Sequence, residues 1–126
     1  MTGVQTCALP ISVGWIFDCS KNQLTSLEGA PNEVDRRFDC SENQLTSLKG
    51  APQTVKGYFD CSWNNLISLE GAPQTVGSSF DCSNNELTSL KGAPKEVSRN
   101  FYCNKNPDLH SLDGIGEVGE KIIKDF

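Results

Sequence analysis

The word FDCSENQLTSLKGAP that begins at Phe38 returns, nearly unchanged, at Phe17, Phe59 and Phe80, always at an interval of 21 residues. A fixed interval in the range of roughly 20–50 residues marks a solenoid, because each unit is too small to bury a core until it stacks on the next. Aligned on the phenylalanine, the units span 17–37, 38–58, 59–79 and 80–100, and a divergent fifth begins at Phe101. Their shared pattern is F-D-C-S-x-N-x-L-x-S-L-x-G-A-P-x-x-V. The opening F-D-C-S alternates apolar and polar residues, as a strand with one buried face does. Asn and Leu follow at fixed offsets, and Gly-Ala-Pro then breaks regular structure and turns the chain. Too few residues remain for a helix on the way back, so the return is expected to be extended or polyproline-like. The expected fold is a mainly β repeat solenoid, one domain over residues 13–126. It carries a parallel sheet on one face, short extended returns on the other and a last edge strand at about 121–126.

The run C-S-x-N-x-L-x-S-L resembles the strand and asparagine of a leucine-rich repeat, with Phe and Cys in two of the usual leucine places. The short Gly-Ala-Pro return is similar to compact bacterial and bacteriophage-type members of that family. The resemblance covers about residues 13 to 126 and recurs in register. One departure stands out: Val34 precedes Phe38 by four residues, where the familiar spacing is three. The resemblance implies an interaction module.

The cysteines follow the same interval: Cys19, Cys40, Cys61, Cys82 and Cys103 form one inward column beside the phenylalanines. Neighbouring strands lie about 4.8 Å apart, beyond the usual 3.5–4.5 Å between the Cβ atoms of a disulfide. These thiols are therefore expected to be buried, reduced and packed as small hydrophobes, which favours a reducing, cytoplasmic compartment. No close pair such as C-x-x-C suggests a metal, and no cofactor is expected. Asn22, Asn43, Asn64, Asn85 and Asn106 make a second column. A turn leaving a strand leaves N–H and C=O groups without ladder partners, and a stacked amide offers both donors and an acceptor to them. The paired leucine columns from Leu24 and Leu27 onward should fill the core.

Outward positions are not dictated by packing. Asp18, Asp39, Asp60 and Asp81 sit between Phe and Cys, with Tyr102 ending the row. Like charges facing one another on a sheet repel, and two readings stay open. One is a solvated acidic edge screened by water and by Arg36, Arg37 or Lys56. The other is a surface for a cationic partner or a divalent ion. Beside this row Lys21, Glu42, Trp63, Asn84 and Lys105 vary, and an outward tryptophan among charges is a common interface anchor. Trp63, Tyr58, Asp18, Asp39, Asp60, Asp81 and Tyr102 are thus the candidate partner-binding residues.

The formal charge of -5 disfavours a nucleic-acid backbone as partner and suits a basic protein. No apolar run approaches the roughly 18 residues of a membrane span. His110 is the single histidine, with no nucleophile motif around it. There is no Gly-rich phosphate loop, and the repeated Asp residues form no unequal acid–base pair. The function expected is a non-enzymatic protein–protein interaction module working through its strand-lined acidic face. The alternative is a structural component that self-associates edge to edge through an uncapped N-terminal edge.

Residues 1–12, MTGVQTCALPIS, fit no repeat. They resemble translated sequencing-adapter sequence of the kind found at the ends of metagenomic contigs, and are expected to be a non-native or disordered leader. The segment also makes a poor signal peptide. In-phase sequence resumes at Val13, 21 residues before Val34, and no N-terminal cap of the kind solenoids need is visible. The natural protein is therefore expected to begin upstream with further repeats. At the other end Asn106-Pro107 and Asp113–Val118 break the pattern, and Lys121-Ile122-Ile123-Lys124 reads as a charged edge strand.

Overall fold

The computed structural model describes residues 12–13 and 16–126. Its strands are short, two residues each. In chain order they are β1 Ser12–Val13, β2 Phe17–Asp18, β3 Glu33–Val34, β4 Phe38–Asp39, β5 Thr54–Val55, β6 Phe59–Asp60, β7 Thr75–Val76, β8 Phe80–Asp81, β9 Glu96–Val97, β10 Phe101–Tyr102, β11 Glu117–Val118 and β12 Ile122–Ile123. Odd-numbered strands form one six-stranded sheet and even-numbered strands another, each in simple sequential order. Every pairing is parallel and offset by one repeat: Phe38 faces Phe59, and Val34 faces Val55. The chain is a mainly β solenoid of 21-residue turns. Ser12 and Val13 already pair with Glu33 and Val34, so the repeat register reaches into the end of the proposed leader; residues 1–11 lie outside the described residues.

The return face differs from expectation, because it is a second parallel sheet rather than a plain extended connection. Proline after Ala favours extended backbone around it, and a β-branched valine follows three residues later. Stacked turns then bring N–H and C=O into register: Lys56 N–H donates to Val34 O at 2.9 Å, and Gly77 N–H to Val55 O at 2.8 Å. On the phenylalanine face the ladder runs past the strands, with Cys40 N–H donating to Asp60 O and Glu42 N–H to Ser62 O.

The core between the sheets is a set of columns. Phe17, Phe38, Phe59 and Phe80 stack face to face, with centroids 5.2, 5.2 and 5.4 Å apart. Phe101 continues the column with its ring tilted by 33°. The two leucine columns and Val34, Val55, Val76 and Val97 are buried around them. The turn between returns depends on glycine: Gly50 has φ +92°, and a Cβ there would lie 2.7 Å from the Leu27 carbonyl carbon. That distance forbids a side chain, and the angle itself favours glycine.

Cys40, Cys61, Cys82 and Cys103 are buried thiols. Cys19 departs from the expectation and is half-buried, because its strand β2 is the outermost of its sheet. The Cys61 thiol donates to Asp81 O at 3.3 Å and the Cys82 thiol to Tyr102 O at 3.2 Å. Burial pushes Cys61 and Cys82 well above the ordinary thiol range and Cys103 up to about 11. Thiolate is the reactive form, so native-state alkylation should mark Cys19 well before Cys61 and Cys82, which react only after unfolding. Peptide mapping that finds Cys61 modified as fast as Cys19 would contradict the packing. Cys7 lies outside the described residues.

Candidate functional site

The site is built on a scaffold of asparagines. Asn64 Nδ2 donates to Cys40 O and Cys61 O at 3.1 Å and to Ser62 O at 3.2 Å, while its Oδ1 accepts Leu45 N–H at 3.0 Å. Asn43, Asn85 and Asn106 repeat the arrangement, each amide reaching carbonyls of its own turn and of the one before. Asn22, exposed, donates within its own turn to Cys19 O and Ser20 O. Each asparagine thus fixes the backbone at the exit of the strand.

The aspartates are not a uniformly solvated row. Asp39 and Asp60 are buried, Asp81 is half-buried, and Asp18 is exposed. In all four, Oδ1 accepts two hydrogen bonds from the serine two residues on, one from its N–H at 2.9–3.0 Å and one from its hydroxyl at 2.6 Å. The sequence carried a signal for this cap. The fifth turn loses both partners at once, with Tyr102 for Asp and Asn104 for Ser. Asn104 Oδ1 is there buried without a hydrogen-bond partner. Tyr102 itself is half-buried, its hydroxyl accepting from Asn100 Nδ2 at 3.3 Å.

Charge on the row is managed by neighbours from the preceding position of the repeat. Arg37 lies 3.0 Å from Asp39 Oδ2 and 3.7 Å from Asp60 Oδ2. Its guanidinium sits 5.4 Å from the centroid of Tyr58, whose hydroxyl donates to Asp81 Oδ2 at 3.0 Å. Desolvation and the Asp81 charge push the Tyr58 phenol up. Lys56 pairs instead with Asp35 at 3.8 Å. Among the described residues no group of three or more His, Cys, Asp or Glu side chains could hold a metal ion, which leaves the divalent-ion reading without a ligand set there. His110 is exposed.

Two carboxylates of the row respond to pH in opposite senses. The Ser20 hydrogen bonds hold Asp18 below its ordinary value, so its contribution is present above the unfolded value and is lost as pH falls through the lowered one. Burial raises Asp60 despite Ser62. Its contribution is present at low pH and is lost as pH rises through the raised value. Asp60→Asn keeps an acceptor for Ser62 and removes the buried charge. It should therefore be at least as stable as wild type at neutral pH, and the difference should vanish as pH falls below the ordinary carboxylate range. Asp60→Ala leaves Ser62 unpaired and should cost about 1–2 kcal/mol. Denaturant titrations across pH read both; an Asn variant that loses as much as the Ala variant would show that the charge itself is needed.

Trp63 occupies a position of its own. Lys21, Glu42, Trp63, Asn84 and Lys105 all have left-handed backbone, with φ from +54° to +59°. This strain is uncommon outside glycine, and the ladder bond from Trp63 N–H to Ser83 O at 3.2 Å is among those that hold it. The conformation turns the side chain outward, and Trp63 is 61% exposed. It lines an open groove with Asn84, Glu86, Lys105 and Pro107, floored by Asn64 and Asn85 of the ladder. Ile67, which replaces the Thr25, Thr46 and Thr88 of other turns, is equally exposed. The predicted surface therefore divides in two. Tyr58 joins Arg37 and the carboxylates, while Trp63 belongs to a groove that none of them lines.

Comparisons with protein-family models, with curated proteins and with solved structures find no match to this chain. Among the described residues no helix is long and apolar enough to cross a membrane.

Proposed function

We propose that this solenoid is a non-enzymatic module, of leucine-rich-repeat character, that binds a protein partner through the groove and strand exits around Trp63. The observation that carries the reading is the exposed indole in the third turn, at a position that is polar in every other turn. Packing explains the repeated columns and gives no reason for this one exception. A large aromatic left in water costs solubility, and its common use is as an anchor in a partner's pocket. The leucine-rich character rests on the Asn and Leu columns at their fixed offsets, and the reduced thiol column suits a reducing compartment.

Trp63→Ala tests the reading. Its unfolding free energy should stay within about 0.5 kcal/mol of wild type, as for surface substitutions away from structural features. Capture of the partner should weaken by about 2 kcal/mol, or roughly thirtyfold. Unchanged capture by the folded variant would place the binding face elsewhere.

A further inference from the structure

Around Trp63 the charges favour one kind of occupant. We infer that the group seated on the indole is a single arginine of the partner protein, an inference that rests on the docking face proposed above. Glu42 stands one turn before Trp63 in the same left-handed column, and its N–H is bonded to Ser62 O, next to the tryptophan. Glu86 lies in the groove that Trp63 lines. Neither glutamate forms an ion pair with any described residue. Three pairs of opposite charges on successive turns do meet elsewhere: Lys56 with Asp35, Lys91 with Glu70 and Arg99 with Glu120.

A cation over an aromatic face is attracted by the ring quadrupole, most strongly over tryptophan. Guanidinium is preferred to ammonium there, being planar, weakly hydrated and able to stack while bonding a carboxylate. The chain already contains this arrangement once. Arg37, the last residue of one unit, lies over Tyr58 and bonds Asp39, both of the next unit. At Trp63 the indole is exposed and Glu86 lines the same groove, and the guanidinium is what the partner supplies. Lys105 lines the same groove two turns further on, and its charge opposes a second cation at that end. A lone arginine therefore fits better than a polybasic run.

The test uses the whole chain and the peptide acetyl-Gly-Ala-Arg-Ala-Gly-amide, with matched peptides carrying citrulline or lysine in place of arginine. Binding is read from the Trp63 indole N–H resonance, assigned by its loss in Trp63→Phe. The arginine peptide should move that resonance and bind about three- to tenfold more tightly than the citrulline peptide, with lysine weaker than arginine. The double variant Glu42→Gln and Glu86→Gln should lose most of that preference. Equal response to arginine and citrulline, equal response to arginine and lysine, or no movement of the indole resonance would each overturn the inference. The docking face is judged separately. If Trp63→Ala abolishes partner capture while the peptides show no charge preference, the face stands and only its arginine fails; if capture survives, the face itself fails.

Discussion

Replacing Phe59 by alanine is expected to remove about 4 kcal/mol of unfolding free energy, the largest loss of any single substitution considered. Phe59 is fully buried and stacks between Phe38 at 5.2 Å and Phe80 at 5.4 Å. Truncating a buried phenylalanine costs roughly 3–5 kcal/mol, transfer and cavity terms together. The solenoid sharpens the effect, because each turn is held mainly by its two neighbours. A gap in the third turn therefore weakens the coupling between the turns on either side. Phe17→Ala gives the comparison. Phe17 is stacked on Phe38 and belongs to the outermost strand of its sheet, so its loss should be roughly half as large. Urea denaturation of both variants reads this directly, and a fall in the m-value for Phe59→Ala would report the broken coupling. A Phe59→Ala loss below about 2 kcal/mol would mean that the ring column is not the core.

Asn64→Ala is expected to cost about 3 kcal/mol. The amide spans two turns, and its removal leaves the buried N–H of Leu45 without its acceptor. It also takes one donor each from the carbonyls of Cys40, Cys61 and Ser62, which keep Asn43, Asn85 and the Glu42 N–H respectively. A buried backbone group left unsatisfied costs about 1–3 kcal/mol, and water entering beside the smaller side chain recovers part of the total. Asn22→Ala should cost under about 1 kcal/mol, since Asn22 is exposed and its amide serves its own turn alone. The same denaturation measurement separates the two positions. Equal losses would mean that the column does not bridge turns.

What the sequence made legible was whatever the 21-residue interval repeats. Phe, Cys, Asn and Leu recur because each stacks on its own copy, so their period shows which positions face inward. The second sheet was hidden because its strands are two residues long. It is marked by one valine per turn beside Glu or Thr, too short a run for alternation to show. The aspartate cap was hidden for another reason. An acidic residue between two buried ones reads as outward, and only the joint loss of Asp and Ser in the fifth turn reveals that they bond each other. The left-handed column escaped notice because Lys21, Glu42, Trp63 and Lys105 are not residues that announce a positive φ. Their conformation is set by the ladder around them. The contact of Arg37 with Tyr58 lies at positions that do not repeat, where no period can speak.

Trp63 and Asn64 are adjacent in the chain, yet one is assigned to binding and the other to the fold. The most direct test of that division is the unfolding free energy of Trp63→Ala and Asn64→Ala, measured side by side in one buffer. The predicted result is a change within about 0.5 kcal/mol for the tryptophan and a loss of about 3 kcal/mol for the asparagine. A tryptophan variant as unstable as the asparagine variant would contradict it, for the indole would then belong to the fold and its exposure would signify no partner.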